Sequence, residues 1–381
     1  MKRTFQIATL ILMAGFLLAS PAAVAQSNGP RLYRSGGEWI QEVSGNFTAG
    51  RIVRVKSSSG SIRIQGAPQS NITYTIREHV RAATEEGARH ELARMKFTTY
   101  SSGETVILRA DCEGSNHGSI DFDVQVPGQT QLVKLETDGG GVTATNLDGR
   151  VEANTAGGNI RLDQINGIIV ASSGGGNIEV GKVGSDVAAE TGGGNIHLVS
   201  ASGHVRATSG GGNLDIGWAK MMTLQTGGGS ISVTKCDGQV QAETGGGNIE
   251  LKDIAGAATI ETGGGSIHFG PIKGGVKAET ASGTIIARLA PGGTFTDSRI
   301  ETSVGDITVI VPDGMGINVR AAVEVARGYG IRSDFGELKI SNRQNFGPRE
   351  FYAEGSLGGG GPLLHVHTTA GNIEFKREAK K

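Results

Sequence analysis

The chain has 381 residues, enough for one to three domains and a sizeable core. It carries 36 basic against 37 acidic side chains, a net charge of -1, with no dense Lys/Arg run. That balance argues against a nucleic-acid partner, which needs a basic patch or stripe. Gly is extreme at 63 residues and aromatics make up only 5%.

The chain opens on a basic start, Lys2 and Arg3, followed by an apolar run from Ile7 to Leu18 and the small residues Ala23 to Ala25. This is the pattern of a secretory signal peptide, residues 1–25, with Gln26 first in the mature chain. The run is too short to span a bilayer comfortably. No Cys follows the cleavage site, and no later stretch approaches a membrane helix in length. A periplasmic or secreted protein is expected.

Residues 26–130 read as an N-terminal β cap. "VRVKSSSGSIRIQG", Val53 to Gly66, alternates apolar and polar around a Gly corner. "TEEGARHELARM", Thr84 to Met95, reads as a short helix despite Gly87, and longer strands follow at Thr105 to Arg109 and Ser119 to Val126.

Residues 131–310 hold a repeat. The last glycine of each copy falls at Gly141, Gly158, Gly176, Gly194, Gly212, Gly229, Gly247, Gly265 and Gly283, at intervals of 17 or 18 residues. A second turn signal sits about halfway through most units, as at Gly149, Gly167 and Gly184. Each unit therefore holds two short strands of period two. One strand turns Ile178 and Val180, or Ile249 and Leu251, inward. The other reads Val-x-Ala-x-Thr on its inward face, as in Val187, Ala189 and Thr191. Two strands per 18 residues, stacked unit on unit, predict an all-β fold: a right-handed parallel β-solenoid. The Gly triplet is expected to be a corner that needs φ > 0. Asn159, Asn177, Asn195, Asn213 and Asn248, with Ser230 and Ser266 as substitutes, are expected to form a hydrogen-bonded ladder along the rod.

Residues 311–381 supply further strands and a C-terminal cap, with "HVHTTAGNIEFK" at His365 to Lys376 repeating the coil pattern. No linker interrupts 26–381, which reads as one elongated domain whose open sheet ends need covering.

Several motifs resemble sites. Gly176 to Lys182, "GNIEVGK", fits seven positions of a P-loop, but Val183 stands where Mg²⁺ needs Ser or Thr, and no helix follows. Calcium-binding β-roll repeats need an Asp in every unit, and the corners here offer mainly Gly and Asn. His365 and His367 alternate and so project outward together, with no third metal ligand in sequence. The outward positions are chemically mixed (Arg161, Glu179, His197, Asp215, Ser232, Glu250), with no convergent acid and base and no nucleophile elbow. No catalytic, cofactor or metal residue is expected. Cys112 and Cys236 are the only cysteines; export would permit a bridge, but nothing in the sequence places them together. Glu243, Glu261 and Glu279 share one outward position on three successive coils, an acidic column that is either simply solvated or a face for a cation or basic partner.

The coil pattern, the helical interruption near the start and the final "GSLGGGGPLLHVHTTAGNIEFK" resemble the bacterial "putative adhesin" family, related to toast-rack β-solenoid domains, over residues 45–377. The resemblance implies a non-enzymatic domain at or outside the cytoplasmic membrane, with no catalytic motif to carry over. This chain departs from membrane-linked members in lacking a transmembrane segment. The resulting expectation is an exported, non-enzymatic scaffold that acts as an adhesin or contacts an envelope or surface component, protein or glycan. A carbohydrate-active enzyme on a β-helix and an extracytoplasmic sensor of envelope stress are the alternatives.

Overall fold

The computed structural model describes residues 26–378 apart from 28, 49, 113–117, 292–294, 326–327 and 344–348. The signal-peptide reading of residues 1–25 lies outside the described residues. Among the described residues the fold is an all-β parallel solenoid with one short helix, Glu85–Leu92.

Each coil contributes one strand to each of two facing sheets. Strands that follow a Gly corner, such as Ile160–Ile165, Ile178–Val183 and Ile249–Ile254, form an Ile sheet. Strands that end in the hydroxyl residue, such as Arg150–Thr155, Val187–Thr191 and Val240–Thr244, form a Thr sheet. Equivalent residues stack without slippage: Ile160 on Ile178 on Ile196, and Thr244 on Thr262 on Thr280. The register is fixed because a one-residue slip would turn every apolar side chain out to water. Inward residues are fully buried, Ile178 at 0% and Ala189 at 4% exposure. The one-residue shortfall between Gly212 and Gly229 is absorbed at the halfway turn. There Ala201 pairs with Ala219, but His204 pairs with Met221, across a bulge between two long strands, Ile196–Ser209 and Leu214–Thr226, that run through both sheets.

The corners depart from the sequence expectation. None of the array glycines between Gly139 and Gly283 has a positive φ. The third glycine of the triplets from 174–176 to 263–265 is required for contact instead, and in the first triplet its place is taken by Gly140. A Cβ on Gly194 would lie 2.2 Å from the carbonyl oxygen of Gly176, and one on Gly158 would lie 2.0 Å from that of Gly140. First glycines such as Gly192 meet the preceding coil at a similar distance, whereas the middle glycine, Gly193, meets nothing within 4 Å. Parallel stacking brings backbone against backbone at the corner, and only hydrogen fits between.

The threonine column ties the corner together. Thr191 Oγ1 donates to Gly176 O of the preceding coil at 2.8 Å and accepts from its own Gly194 N at 3.2 Å. The same pair of bonds recurs at Thr155, Ser173, Ser209 and Thr244. The asparagine ladder is present in a different form from the expected amide–amide chain. Each Asn side-chain oxygen accepts the backbone N–H of the next coil: Asn195 N to Asn177 Oδ1, then Asn213 N to Asn195 Oδ1, both at 2.8 Å.

Both ends break the order of stacking. At the N-terminal end, Ile52–Ser57 and Ile62–Ala67 form a coil that is flanked on one side by Leu132–Thr137 and Val142–Leu147. On its other side lie Thr105–Asp111 and Ser119–Pro127. At the C-terminal end, Leu363–Ala370 and Ile373–Arg377 lie between the coil Ser298–Val304/Ile307–Val311 and the coil Ile317–Val323/Ile331–Ser333. Antiparallel strands then cover the outermost coils. Lys96–Ser102 pairs with Thr105–Asp111, Asn71–Val80 with Ser119–Pro127, and Glu350–Leu357 with Ile317–Val323. The helix buries Ala88 and Leu92 at the N-terminal end. Its N-cap Thr84 accepts Gly87 N at 3.2 Å, and Glu85 pairs with Arg89.

Candidate functional site

Outward positions of the Thr sheet run in straight columns, because parallel coils stack in register. The column just before the threonines reads Glu190, Thr208, Gln225, Glu243, Glu261, Glu279, Glu301 and His367 in spatial order. Glu243, Glu261 and Glu279 are thus neighbours, about 4.8 Å apart along the rod. Glu190 is separated from them by two uncharged side chains. Glu301 is the direct neighbour of Glu279, although 22 residues separate them in sequence. The 18-residue period alone does not reach Glu301. The signal that would have found it is the Glu-Thr pair, which recurs at 243, 261, 279 and 301.

The adjacent column supplies counter-charge. Lys277 Nζ lies 2.8 Å from Glu261 and 3.3 Å from Glu279, and Arg299 lies 3.0 Å from Glu301. The hydrogen bond to Glu261 holds the Lys277 ammonium above its ordinary pKa. Among the described residues Glu243 makes no ion pair. Like charges this close repel by roughly 0.8 kcal/mol in water, and Lys277, placed between two of them, relieves that cost. The residues after the threonines are small (Gly245, Gly263, Ala281), so the surface dips beside the carboxylates into an open groove of about 540 Å³. His367 and Thr369 close its C-terminal end.

His365 and His367 project outward as expected, but both are half-buried rather than exposed. Their rings stack at 6.3 Å, and each meets a carboxylate: His365 meets Glu301 at 3.3 Å and His367 meets Glu324 at 3.1 Å. Burial pushes the His365 pKa down, partly offset by Glu301. Among the described residues no group of three or more His, Cys, Asp or Glu is arranged to hold a metal ion. The P-loop-like stretch is ordinary coil, since Gly176 N already donates to Ser173 Oγ and Asn177 N to Asn159 Oδ1. Cys112 and Cys236 are buried, unbridged and in different coils, Cys112 beyond Thr105–Asp111 and Cys236 on Ile231–Cys236.

A second charged cluster, absent from the sequence reading, lies on the N-terminal end. His79 stands between Asp121 at 3.3 Å and Glu38 at 3.5 Å, and its pKa is raised chiefly by the Asp121 carboxylate. Beside it Glu78 points inward at 2% exposure, hydrogen-bonded to Gln41 Nε2, and burial raises its pKa. The two were invisible in sequence because antiparallel pairing of Glu38–Thr48, Asn71–Val80 and Ser119–Pro127 brings them together.

No family model matches the chain, and no curated protein matches it. Two solved structures are similar to it over most of their length. One, described as a putative cell adhesion protein from Clostridium sporogenes, is 9% identical. That match covers 93% of this chain and 100% of that one, with a TM-score of 0.16. The other, described as a putative adhesin from Bacteroides fragilis, is 11% identical and covers 88% of this chain and 97% of that one, with a TM-score of 0.22. The fold assignment rests on the strand ladders described above.

Proposed function

We propose that the protein is an exported, non-enzymatic β-solenoid that acts as an adhesin-like interaction scaffold at the cell envelope. The carrying observation is the row Glu243, Glu261, Glu279 and Glu301 beside an open groove on a sheet whose register is fixed. A charge row with a 4.8 Å period on a stiff support suits an extended surface partner carrying basic groups. The open groove, lined by short side chains, would not enclose a small substrate, which a pocket normally does.

The test is crosslinking in the native envelope with the wild type and a Glu243→Gln/Glu261→Gln/Glu279→Gln variant. Loss of the captured component in a variant that melts like the wild type is expected. Identical capture by both removes the column as the binding face. Export is tested separately: mass spectrometry of the protein recovered outside the cytoplasm should find Gln26 first, and a retained full-length chain sinks that part.

A further inference from the structure

The inserted coil at the C-terminal end has a consequence for assembly. Leu364, Val366, Ile373 and Phe375 are buried to 1% exposure or less between the coils on either side. Both edges of the segment carry parallel ladders, to Ser298–Val304 and Ile307–Val311 below and to Ile317–Val323 and Ile331–Ser333 above. Its place is read by side chains of the slot. Leu363 N donates to Asp297 Oδ1 at 2.8 Å and Asn372 N to Asp306 Oδ1 at 2.7 Å. Thr368 Oγ1 donates to Gly305 O at 3.0 Å, and from above Gly330 N donates to Asn372 Oδ1 at 3.1 Å. All of these partners lie within residues 295–335.

The segment is tied to the strand before it by Gly358, Gly359, Gly360, Gly361 and Pro362. This linker must cross the start of Ile317–Val323, because Glu350–Leu357 lies on one side of that strand and Leu363–Ala370 on the other. It does so through three residues with φ of +56°, +88° and +84°, a conformation that glycine adopts without strain. It presses so closely that a Cβ on Gly361 would lie 2.3 Å from Gly316 O. A glycine hinge beside a fully paired, separable coil is the arrangement from which elements are exchanged between copies.

We propose that residues 363–378 are an exchangeable coil. The slot between 298–311 and the strands Ile317–Val323 and Ile331–Ser333 accepts the same segment from a second copy of this chain, giving a closed dimer in which each copy completes the other's end. Every slot contact named above is kept in the exchanged form, since none depends on which copy supplies the segment. Only the hinge changes conformation.

Thr308 and Glu374 face each other across the ladder. Their parallel neighbour spacing, about 4.8 Å, lies within reach of a disulfide. Full chains carrying Thr308→Cys and full chains carrying Glu374→Cys, both with Cys112→Ser and Cys236→Ser so that no other thiol is present, are refolded together at high concentration and oxidised. A disulfide-linked heterodimer is expected, with neither chain crosslinking alone. Absence of that heterodimer, when a single chain carrying both substitutions closes its own bridge, overturns the proposal. If the paired variants do not refold, deletion of Gly359 and Gly360 decides. A hinge too short to cross should raise the dimer fraction by at least about tenfold, because the effective concentration of the segment at its own slot collapses. A folded monomer from that deletion overturns it.

Discussion

The central array and the two ends use the same bonds over very different spans of chain. In the array, Thr191 reaches Gly176 across 15 residues and Asn195 reaches Asn177 across 18. At the ends, Thr137 Oγ1 reaches Gly60 O across 77 residues, and Asn372 N reaches Asp306 Oδ1 across 66. Closing the longer loops costs only roughly 1 kcal/mol more, since loop entropy grows with the logarithm of length. The difference is therefore one of order rather than of strength. Coils of the array can propagate from any neighbour, as in other repeat proteins. The end coils wait for distant partners, and non-local contacts form slowly. In return, the ends place antiparallel strands over the outermost coils, which limits the exposed edge.

The sharpest way to break this comparison is to strike the corner in each region. Gly194→Ala drives a methyl into the backbone of Gly176 and should cost about 3 kcal/mol or more. Its melting temperature should fall for the whole rod. Gly371→Ala makes the same clash with Gly305, at 1.8 Å, in the inserted end coil. It should leave melting of the array intact and open residues 317–377 to limited proteolysis. Gly193→Ala is the control, expected within about 0.5 kcal/mol of wild type because its Cβ meets nothing. Equal melting of the Gly193 and Gly194 variants would show that backbone approach does not set the corner.

Next in size is the hydroxyl column. Thr191→Val keeps the shape but strands Gly194 N and Gly176 O in a buried corner. About 1–3 kcal/mol of destabilisation is expected in denaturant melts. A neutral result would mean that the hydroxyl contributes no more than a methyl. Asn195→Ala should cost less, about 0.5–1 kcal/mol, because only the solvent-reached Asn213 N loses its acceptor and water replaces it. A loss as large as that of Thr191→Val would place the ladder, not the hydroxyl column, at the centre of corner stability.

The smallest effect separates the two ends by pH. At the N-terminal end, the Asp121 carboxylate raises the folded pKa of His79 above its ordinary 6.5, and burial raises that of Glu78 above 4.5. Both contributions are complete below those ordinary values and are lost as pH rises through the raised ones. At the C-terminal end, burial lowers the pKa of His365 below 6.5, so its contribution is complete above that value and is lost as pH falls. Amide exchange, corrected for intrinsic rates, should therefore show 71–80 and 119–127 better protected at about pH 5.5 than at about pH 8, with the reverse for 363–370. A common trend at both ends would refute the assignment of these histidines, and His365→Gln should remove the C-terminal response.

The sequence by itself determined the coil. Period-two alternation with an 18-residue repeat dictated two strands per turn, their inward faces, their parallel register and the columns of outward side chains, including Glu243, Glu261 and Glu279. The short helix at Glu85–Leu92 was legible as the polar stretch Thr84 to Met95, despite Gly87. These features are local or strictly periodic, so each follows from residues within one unit or one repeat. Tertiary structure alone decided three others. The role of the third corner glycine depends on the carbonyl of the coil beneath it, a contact that no single unit contains. The nearness of Glu301 to Glu279, and of His79 to Glu38, depends on which strands come to lie side by side. The insertion of 363–377 between two earlier coils leaves no periodic trace, because its pattern is that of any coil. What selects its place is a pair of aspartates, Asp297 and Asp306, whose acceptors meet backbone donors 66 residues away.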